Sequence, residues 1–421
     1  MSSEPFIDSR GKTYCRGCSG EKLFSALDLG ELPIANELLL TPESTSEKFP
    51  LHLRICADCG LGQVGDVVTP ERIFLDYRYL SSMSTTFLKH ASDFVTQFAQ
   101  NNTFSRGDWV LEIASNDGYL LKNFVALGVD SVGVEPAENV AELSKKYGIN
   151  VINEFFSSKL AGELLNKFGY PKLIVANNVL AHVPDLIDFV SGISILCGPQ
   201  TQISIENPSL VNILAEMQFD TIYHEHYSYL SATSVQKIVK ISGLDLVRVE
   251  NLMVHGGSNR YWLRSVSSGI QADETVHGAI LKEEKICLFE YQEWANYSSK
   301  VSHILNSFHT WLQEGHKKGL KIYGYGAAAK ASTLLNSINA DSNLIAAIAD
   351  ISLEKQERYL PAHGIKIISP EQLVAEKPTD VVIFPWNIKI EIANYLQQKL
   401  GKGVRLWCPI PSLEEIVVKW P

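Results

Sequence analysis

From residue 109 onward, short apolar runs bounded by turn residues alternate with segments whose apolar positions recur every three or four residues. Trp109–Ala114, Ser131–Glu135, Asn150–Ile152, Lys172–Ala176 and Gln202–Glu206 read as strands, with helical patterns between them. That alternation predicts a mostly parallel, doubly wound α/β sheet with its ligand crevice at the carboxyl ends of the strands. A helical segment near 86–100 precedes it, after the hydroxyl-rich stretch Asp76–Ser84, which reads equally well as a linker. Residues 279–318, rich in Glu, Lys and long apolar side chains without a strong breaker, predict a helical bridge. A second α/β unit follows. Leu320–Tyr323 is a strand, Gly324–Lys330 a glycine turn opening a helix, and Leu344–Asp350 a second strand ending in an acid.

A chain of 421 residues implies two or three domains. Its net charge of −10 argues against a nucleic-acid or anionic-membrane surface. No apolar run approaches the roughly 20 residues of a bilayer span, and Met1-Ser2-Ser3-Glu4-Pro5 is not the start of a secretory leader. The expectation is a cytoplasmic protein, a monomer, acting on a small molecule.

Cys15-Arg16-Gly17-Cys18 and Cys56-Ala57-Asp58-Cys59 form two C-x-x-C knuckles. In a reducing compartment the pair reads as a tetrahedral thiolate site for structural zinc, with Gly17 and Gly60 suiting the tight turns. A redox pair is the competing reading, but neither knuckle precedes a clean βαβ pattern. The 37 residues between Cys18 and Cys56 exceed a usual ribbon spacing, so the module carries an insertion. Cys197, Cys287 and Cys408 read as buried small hydrophobes.

The two strand-end turns differ. Leu111-Glu112-Ile113-Ala114-Ser115-Asn116-Asp117-Gly118 has one glycine and an added acid where a dinucleotide site needs G-x-G-x-x-G. An acid-bearing turn suits the cationic ammonium and sulfonium of S-adenosylmethionine better than a pyrophosphate, and Glu135 ends the next strand where it would accept both ribose hydroxyls. Gly324-x-Gly326-x-x-Ala329 instead opens a helix whose free amides suit phosphate, with Lys330 adding charge; a nicotinamide dinucleotide is an equal rival there.

Tyr223-His224-Glu225-His226-Tyr227 concentrates proton-transfer groups in five consecutive residues. In an extended segment Tyr223, Glu225 and Tyr227 would share one face and His224 and His226 the other. A solvated polar turn is the bland alternative. A zinc-protease site needs His-Glu-x-x-His and is not present here.

These residues, with Asp28-Leu29-Gly30, Pro33-Ile34-Ala35-Asn36, Tyr77-Arg78-Tyr79-Leu80-Ser81-Ser82, Asn177-Asn178-Val179-Leu180-Ala181-His182-Val183, His255-Gly256-Gly257-Ser258 and Tyr325–Lys330, give the chain its resemblance to S-adenosylmethionine-dependent sugar C-methyltransferases acting on nucleotide-linked 4-keto-deoxysugars. The likeness spans nearly the whole length. It implies a zinc-binding domain over 1–76, a Rossmann-like methyltransferase domain over 77–300 and a second Rossmann-like, nucleotide-sugar-binding domain over 301–421. It implies His226 as base, assisted by Tyr77, His182, Tyr223 and Glu225. The methyl donor would meet Glu112, Ala114, Ser115, Asn116, Asp117, Gly118, Glu135 and Asn178. A TDP-linked sugar, methylated at C3, would meet His224, Tyr325, Gly326, Ala327, Lys330, Asp350 and Asn387. Asn259, where an apolar residue is expected before Arg260, departs from the pattern. Read without the resemblance, His182 is a cap or core partner, and the rival functions are an NAD-dependent sugar oxidoreductase and a non-catalytic zinc-ribbon adaptor.

Overall fold

The computed structural model describes residues 14–65, 68–75, 80–401 and 403–417, without the side chain of His255. Three sheets account for its strands. The N-terminal sheet pairs Leu23–Pro33 with Lys48–Cys56 in an antiparallel hairpin, adds Gly62–Gln63, and takes its fourth strand, Ser228–Tyr229, from far along the chain. The hairpin is the insertion expected between the knuckles.

The central sheet has the order Leu244–Leu252, Ser258–Ser265, Gln202–Pro208, Leu173–Asn177, Trp109–Ile113, Asp130–Val134, Asn150–Ile152. Its five predicted strands are parallel. The antiparallel hairpin of Leu244–Leu252 with Ser258–Ser265, which the parallel pattern did not announce, extends one edge. Every residue of Trp109–Ile113 is buried, as a strand covered on both faces requires. Helix Thr85–Asn101 buries Phe87, Ala91, Phe94, Val95 and Phe98 against this sheet, and the Ser84 side chain caps it by accepting from the Phe87 N–H.

The expected helical bridge over 279–318 is two helices, Glu274–Lys285 and Tyr291–Lys317. Cys287, expected to be buried, is exposed at the break and adopts φ +51°, Cys197 is half-buried and Cys408 buried; beside the break the Trp294 indole N–H donates to the Leu288 carbonyl at 2.7 Å. Composition alone does not reveal such a contact. The second helix threads a core running from Leu51 and Leu53 through Trp294 and Phe308 to Leu334, so the N-terminal sheet and the last lobe share one apolar interior.

The C-terminal sheet runs Ile367–Ile368, Ile348–Ala349, Ile322–Tyr325, Asp380–Ile383, Arg405–Cys408, Glu414–Glu415, parallel except for the last strand. The strand expected over Leu344–Asp350 shrinks to Ile348–Ala349, because Asp341 turns the preceding chain by accepting from the Asn343 and Leu344 N–H groups. Each α/β sheet has a topological switch point. In the central sheet it lies between Ile113 and Asn177, in the C-terminal sheet between Tyr325 and Ile383. No helix among the described residues is long and apolar enough to cross a membrane.

Candidate active site

The four knuckle cysteines converge at the base of the N-terminal sheet, their sulfurs all within 4.8 Å of one another. Cys15 to Cys59 is 3.5 Å and Cys18 to Cys56 is 3.7 Å. Four thiolates at about 2.3 Å from a tetrahedral zinc lie roughly 3.8 Å apart, so the donor set fits that ion. Gly60 has φ +76°, and a Cβ there would meet the Phe289 ring at 2.3 Å, which explains the glycine after the second knuckle.

At the first switch point the turn after Ile113 is built from left-handed residues: Ala114, Asn116 and Gly118 have φ of +57°, +48° and +79°. A Cβ on Gly118 would lie 2.6 Å from Ile149. Glu135 Oε2 accepts from the Asn116 N–H and Oε1 from the Ala137 N–H, both at 2.9 Å, which locks the carboxylate at the adjacent strand end. Burial raises its pKa, as it does that of Glu112 beneath the turn. Ser115 Oγ, Asp117 Oδ1 and Asn177 Oδ1 are buried with no hydrogen-bond partner among the described residues. Buried polar atoms left unmatched around one crevice are the mark of a ligand's place. Asn178, with φ +52°, donates its N–H to the Glu206 carbonyl at 2.6 Å and follows Asn177 at the crevice edge.

The described end of the hydroxyl-rich stretch before helix Thr85–Asn101 is not merely a linker. The Ser81 N–H donates to Asn116 Oδ1 at 2.9 Å and the Ser82 N–H to Asp117 Oδ2 at 3.2 Å, so these serines lie on the Ala114–Gly118 turn. Tyr77, expected as a catalytic donor, lies outside the described residues.

Residues 223–227 are not extended, and the two-faced alternation is replaced by a turn closed by the His226 N–H on the Tyr223 carbonyl at 3.0 Å. The turn brings Tyr223 and His226 together, ring centroids 4.2 Å apart. His226 Nδ1 faces the Thr221 carbonyl at 3.1 Å. A carbonyl only accepts, so Nδ1 carries the proton and Nε2 presents a lone pair, to which the Tyr223 hydroxyl donates at 3.1 Å. The same logic fixes His182, whose Nδ1–H donates to the Glu225 carbonyl at 2.6 Å and whose ring centroid is 4.7 Å from that of His226. Burial lowers its pKa to about 4 and keeps it neutral.

Glu225 and His224 point elsewhere. Glu225 Oε1 accepts from the Asn36 N–H and side-chain amide at 3.2 and 3.0 Å, and burial pushes its pKa up to about 7. The Pro33–Asn36 motif is thus the partner of the turn, a pairing across 189 residues that no local pattern reveals. The His224 Nε2–H donates to the Phe49 carbonyl at 3.2 Å, away from His226 and into the N-terminal sheet. His226 lines a cavity of about 10 Å³ with Asn207, Ala181 and Tyr229, room for one water. Asn207 lies near the end of strand Gln202–Pro208, next to Glu206, which pairs with Asn177; both of its amide atoms lack partners among the described residues, so the Ala114–Gly118 crevice and the His226 turn approach each other at this strand end.

At the second switch point Gly326 has φ +88°, and a Cβ would strike Pro385 at 2.4 Å. The Ala327 N–H is taken by Asp350 Oδ2 at 2.8 Å. Lys330 does not cover the turn as its sequence position suggested. Its ammonium lies 4.0 Å from the Trp386 ring centre and donates to Asn387 Oδ1 at 3.2 Å. Tyr325 is buried at the strand end. The His255–Ser258 motif finds its reason here: Gly256 makes room for the Trp386 ring, and Gly257, at φ +103°, for the Asn212 amide. Asn259 is buried and donates to the Tyr261 hydroxyl at 3.2 Å, a local accommodation of the polar residue.

Comparison with known proteins decides what this architecture belongs to. The chain is 30% identical over 407 residues to the C-methyltransferase NovU of Streptomyces niveus, covering 94% of this chain and 95% of that one. The chain belongs to that C-methyltransferase family. Family models match in series along it: "Putative zinc binding domain" over 15–74, "Methyltransferase domain" over 84–249 and "C-methyltransferase C-terminal domain" over 253–411. Solved structures similar to part of the chain include a SAM-dependent methyltransferase from Anabaena variabilis ATCC 29413 (12% identity, 41% of this chain, 83% of that one, TM-score 0.34). Another is the magnesium protoporphyrin IX methyltransferase of Synechocystis PCC 6803 with bound SAM (13%, 46%, 89%, 0.33). This C-methyltransferase therefore uses S-adenosylmethionine, and its four-cysteine cluster is a structural zinc site.

Proposed function

We propose that this C-methyltransferase methylates C3, next to the ketone, of a nucleotide-diphosphate 4-keto-deoxysugar, a TDP-linked one, with His226 as the base. The observation carrying this reading is the His226 tautomer: Nδ1–H is held by the Thr221 carbonyl, leaving Nε2 basic beside the strand end that borders the donor crevice. A neutral imidazole is suited to take a proton near pH 7. Bound S-adenosylmethionine supplies an electrophilic methyl group. His226 Nε2 takes the C–H proton as charge moves to the ketone oxygen. Tyr223, whose hydroxyl sits on Nε2 before substrate arrives, turns to donate to that oxygen, and Tyr77 is the further donor assigned to it; His182, first expected to be a donor as well, is neutral with its single N–H on the Glu225 carbonyl, and packs beside His226 instead. Glu225 anchors the turn through Asn36, and His224 supports it from the Phe49 side.

The nucleotide is assigned to the second crevice, within 301–421, with the Gly326–Ala327 turn, Tyr325, Lys330, Asp350 and Asn387 around it. We further propose that the protein works as a monomer. The test is proton exchange at C3 of a TDP-linked 4-keto-deoxysugar in heavy water, alongside methyl transfer. His226→Asn is expected to lose both, turnover falling roughly 10²-fold or more with substrate affinity kept. Near-normal turnover in that variant removes His226 as the base; normal exchange without methylation places it after proton removal.

A further inference from the structure

Asp220 is buried; among the described residues it forms no direct ion pair, and the positive charge that acts on it is the Lys330 ammonium, beyond contact distance. Its defined side-chain partner is the Trp386 indole N–H, at 3.1 Å from Oδ1 and 2.9 Å from Oδ2. A buried carboxylate is costly unless its environment is arranged for it. Here the arrangement reaches across the molecule: Trp386 follows the strand Asp380–Ile383 at the C-terminal switch point, whereas Asp220 belongs to the short helix Phe219–Thr221 just before the catalytic turn. Trp386 is gripped on two more sides. The Lys330 ammonium covers its ring at 4.0 Å, and Gly256 leaves it room, since a Cβ there would be 2.3 Å from the ring. Gln218 ties that glycine back to the same short helix by donating to the Gly256 carbonyl at 2.7 Å. The next residue, Thr221, presents the carbonyl that holds His226 Nδ1–H at 3.1 Å.

We propose that Trp386 and Asp220 form a strut by which the C-terminal lobe sets the position of His226, both acting as positioning residues. The inference rests on the reading of His226 as base. Every link is a short polar contact or a packed ring, so a shift of Asp220 moves the Thr221 carbonyl, and displacements of about 1 Å in a catalytic group are costly to rate. Asn387 and Lys330, which bond each other beside Trp386, place the strut at the edge of the second crevice, where an occupant would press on it.

The experiment compares Trp386→Phe, Asp220→Ala, the double variant and Asp220→Asn as full-length zinc-loaded proteins. Trp386→Phe keeps a ring against Gly256 and removes only the N–H donor; Asp220→Asn keeps an acceptor for it. Turnover is expected to fall about tenfold in Trp386→Phe and in Asp220→Ala, with the KM for S-adenosylmethionine unchanged. The double variant should lose no more than the worse single one, because both cut the same contact. Asp220→Asn should retain most of the rate. In the ligand-free protein the His226 ring resonance, assigned by its disappearance in His226→Asn, should shift in Trp386→Phe. Wild-type turnover with an unmoved His226 resonance in Trp386→Phe overturns the strut, as do losses that multiply in the double variant. If His226→Asn itself turns over normally, the base reading fails, and the ligand-free resonance still decides the strut.

Discussion

The crevice at Ala114–Gly118 and the crevice at Gly324–Lys330 occupy the same topological position in their sheets, but they are prepared for ligand in opposite ways. In the first, Ser115 Oγ, Asp117 Oδ1 and Asn177 Oδ1 are buried without partners while Glu135 is fixed by two backbone N–H groups. In the second, the Ala327 amide is filled by Asp350, and Lys330 is engaged by Trp386 and Asn387. A crevice with unmet groups gains their full hydrogen bonds when occupied; one that is internally satisfied must exchange old contacts for new. On the proposed assignment of ligands, the methyl-donor crevice is preorganised, and occupation of the second crevice would be coupled to rearrangement around Trp386.

Metal removal is expected to give the largest asymmetry. Stripping zinc, or Cys56→Ala, should loosen the N-terminal sheet and with it Ser228–Tyr229, so turnover should fall at least tenfold while S-adenosylhomocysteine still binds. Metal analysis with calorimetry checks this; unchanged zinc in Cys56→Ala removes that cysteine from the site. Next, Glu135→Ala should weaken S-adenosylmethionine about tenfold or more, roughly 1.4 kcal/mol, and leave the nucleotide sugar unaffected. Lys330→Ala should do the reverse and more mildly, roughly threefold, because Lys330 must first leave Trp386. Both substitutions weakening one ligand in calorimetry would erase the distinction between the crevices.

A separate effect, on stability rather than on ligand affinity, lies at Glu225. Its carboxyl is raised from about 4.3 in the unfolded chain to about 7 in the fold. An acid with a raised folded pKa contributes stability that is present below pH ~4 and is lost as the pH rises toward 7, on the order of 3 kcal/mol in all. Glu225→Gln cannot ionise and keeps an acceptor for Asn36. Its Tm should exceed that of the wild type by a few degrees at pH 8, with the gap closing toward pH 4. A gap that is equal at both pH values would show that ionisation of Glu225 is not its source.

How much of this was legible in the sequence follows from the range of the interactions. The five parallel strands, the cysteine cluster and the strand-end position of Glu135 rest on local periodicity and spacing, and the structure has them where the pattern put them. What was missed depended on particular side-chain contacts that periodicity does not encode, whether near in sequence or far. The break at Cys287 goes with the nearby contact of Trp294 with Leu288, and the folding of Tyr223–Tyr227 into a turn goes with nearby Thr221 and remote Asn36. Asp220 and Trp386 carried no sequence signal at all, since neither belongs to a recurrent motif. The glycines of His255–Ser258 were a signal of close approach, but the ring that approaches Gly256 is encoded 130 residues later.

The strand Ser228–Tyr229 gives the molecule a particular modularity. Because the Tyr223–Tyr227 turn runs directly into the sheet that carries the cysteine knuckles, and Asn36 of that sheet's loop grips Glu225 in return, inheritance of the two segments is joined. A chimaera that exchanges the N-terminal module between relatives along linear boundaries would pair one protein's loop with another's turn. Productive recombination would move residues 14–75 and 219–230 as a single graft, and within a lineage substitutions at Asn36 and at Glu225 should compensate one another.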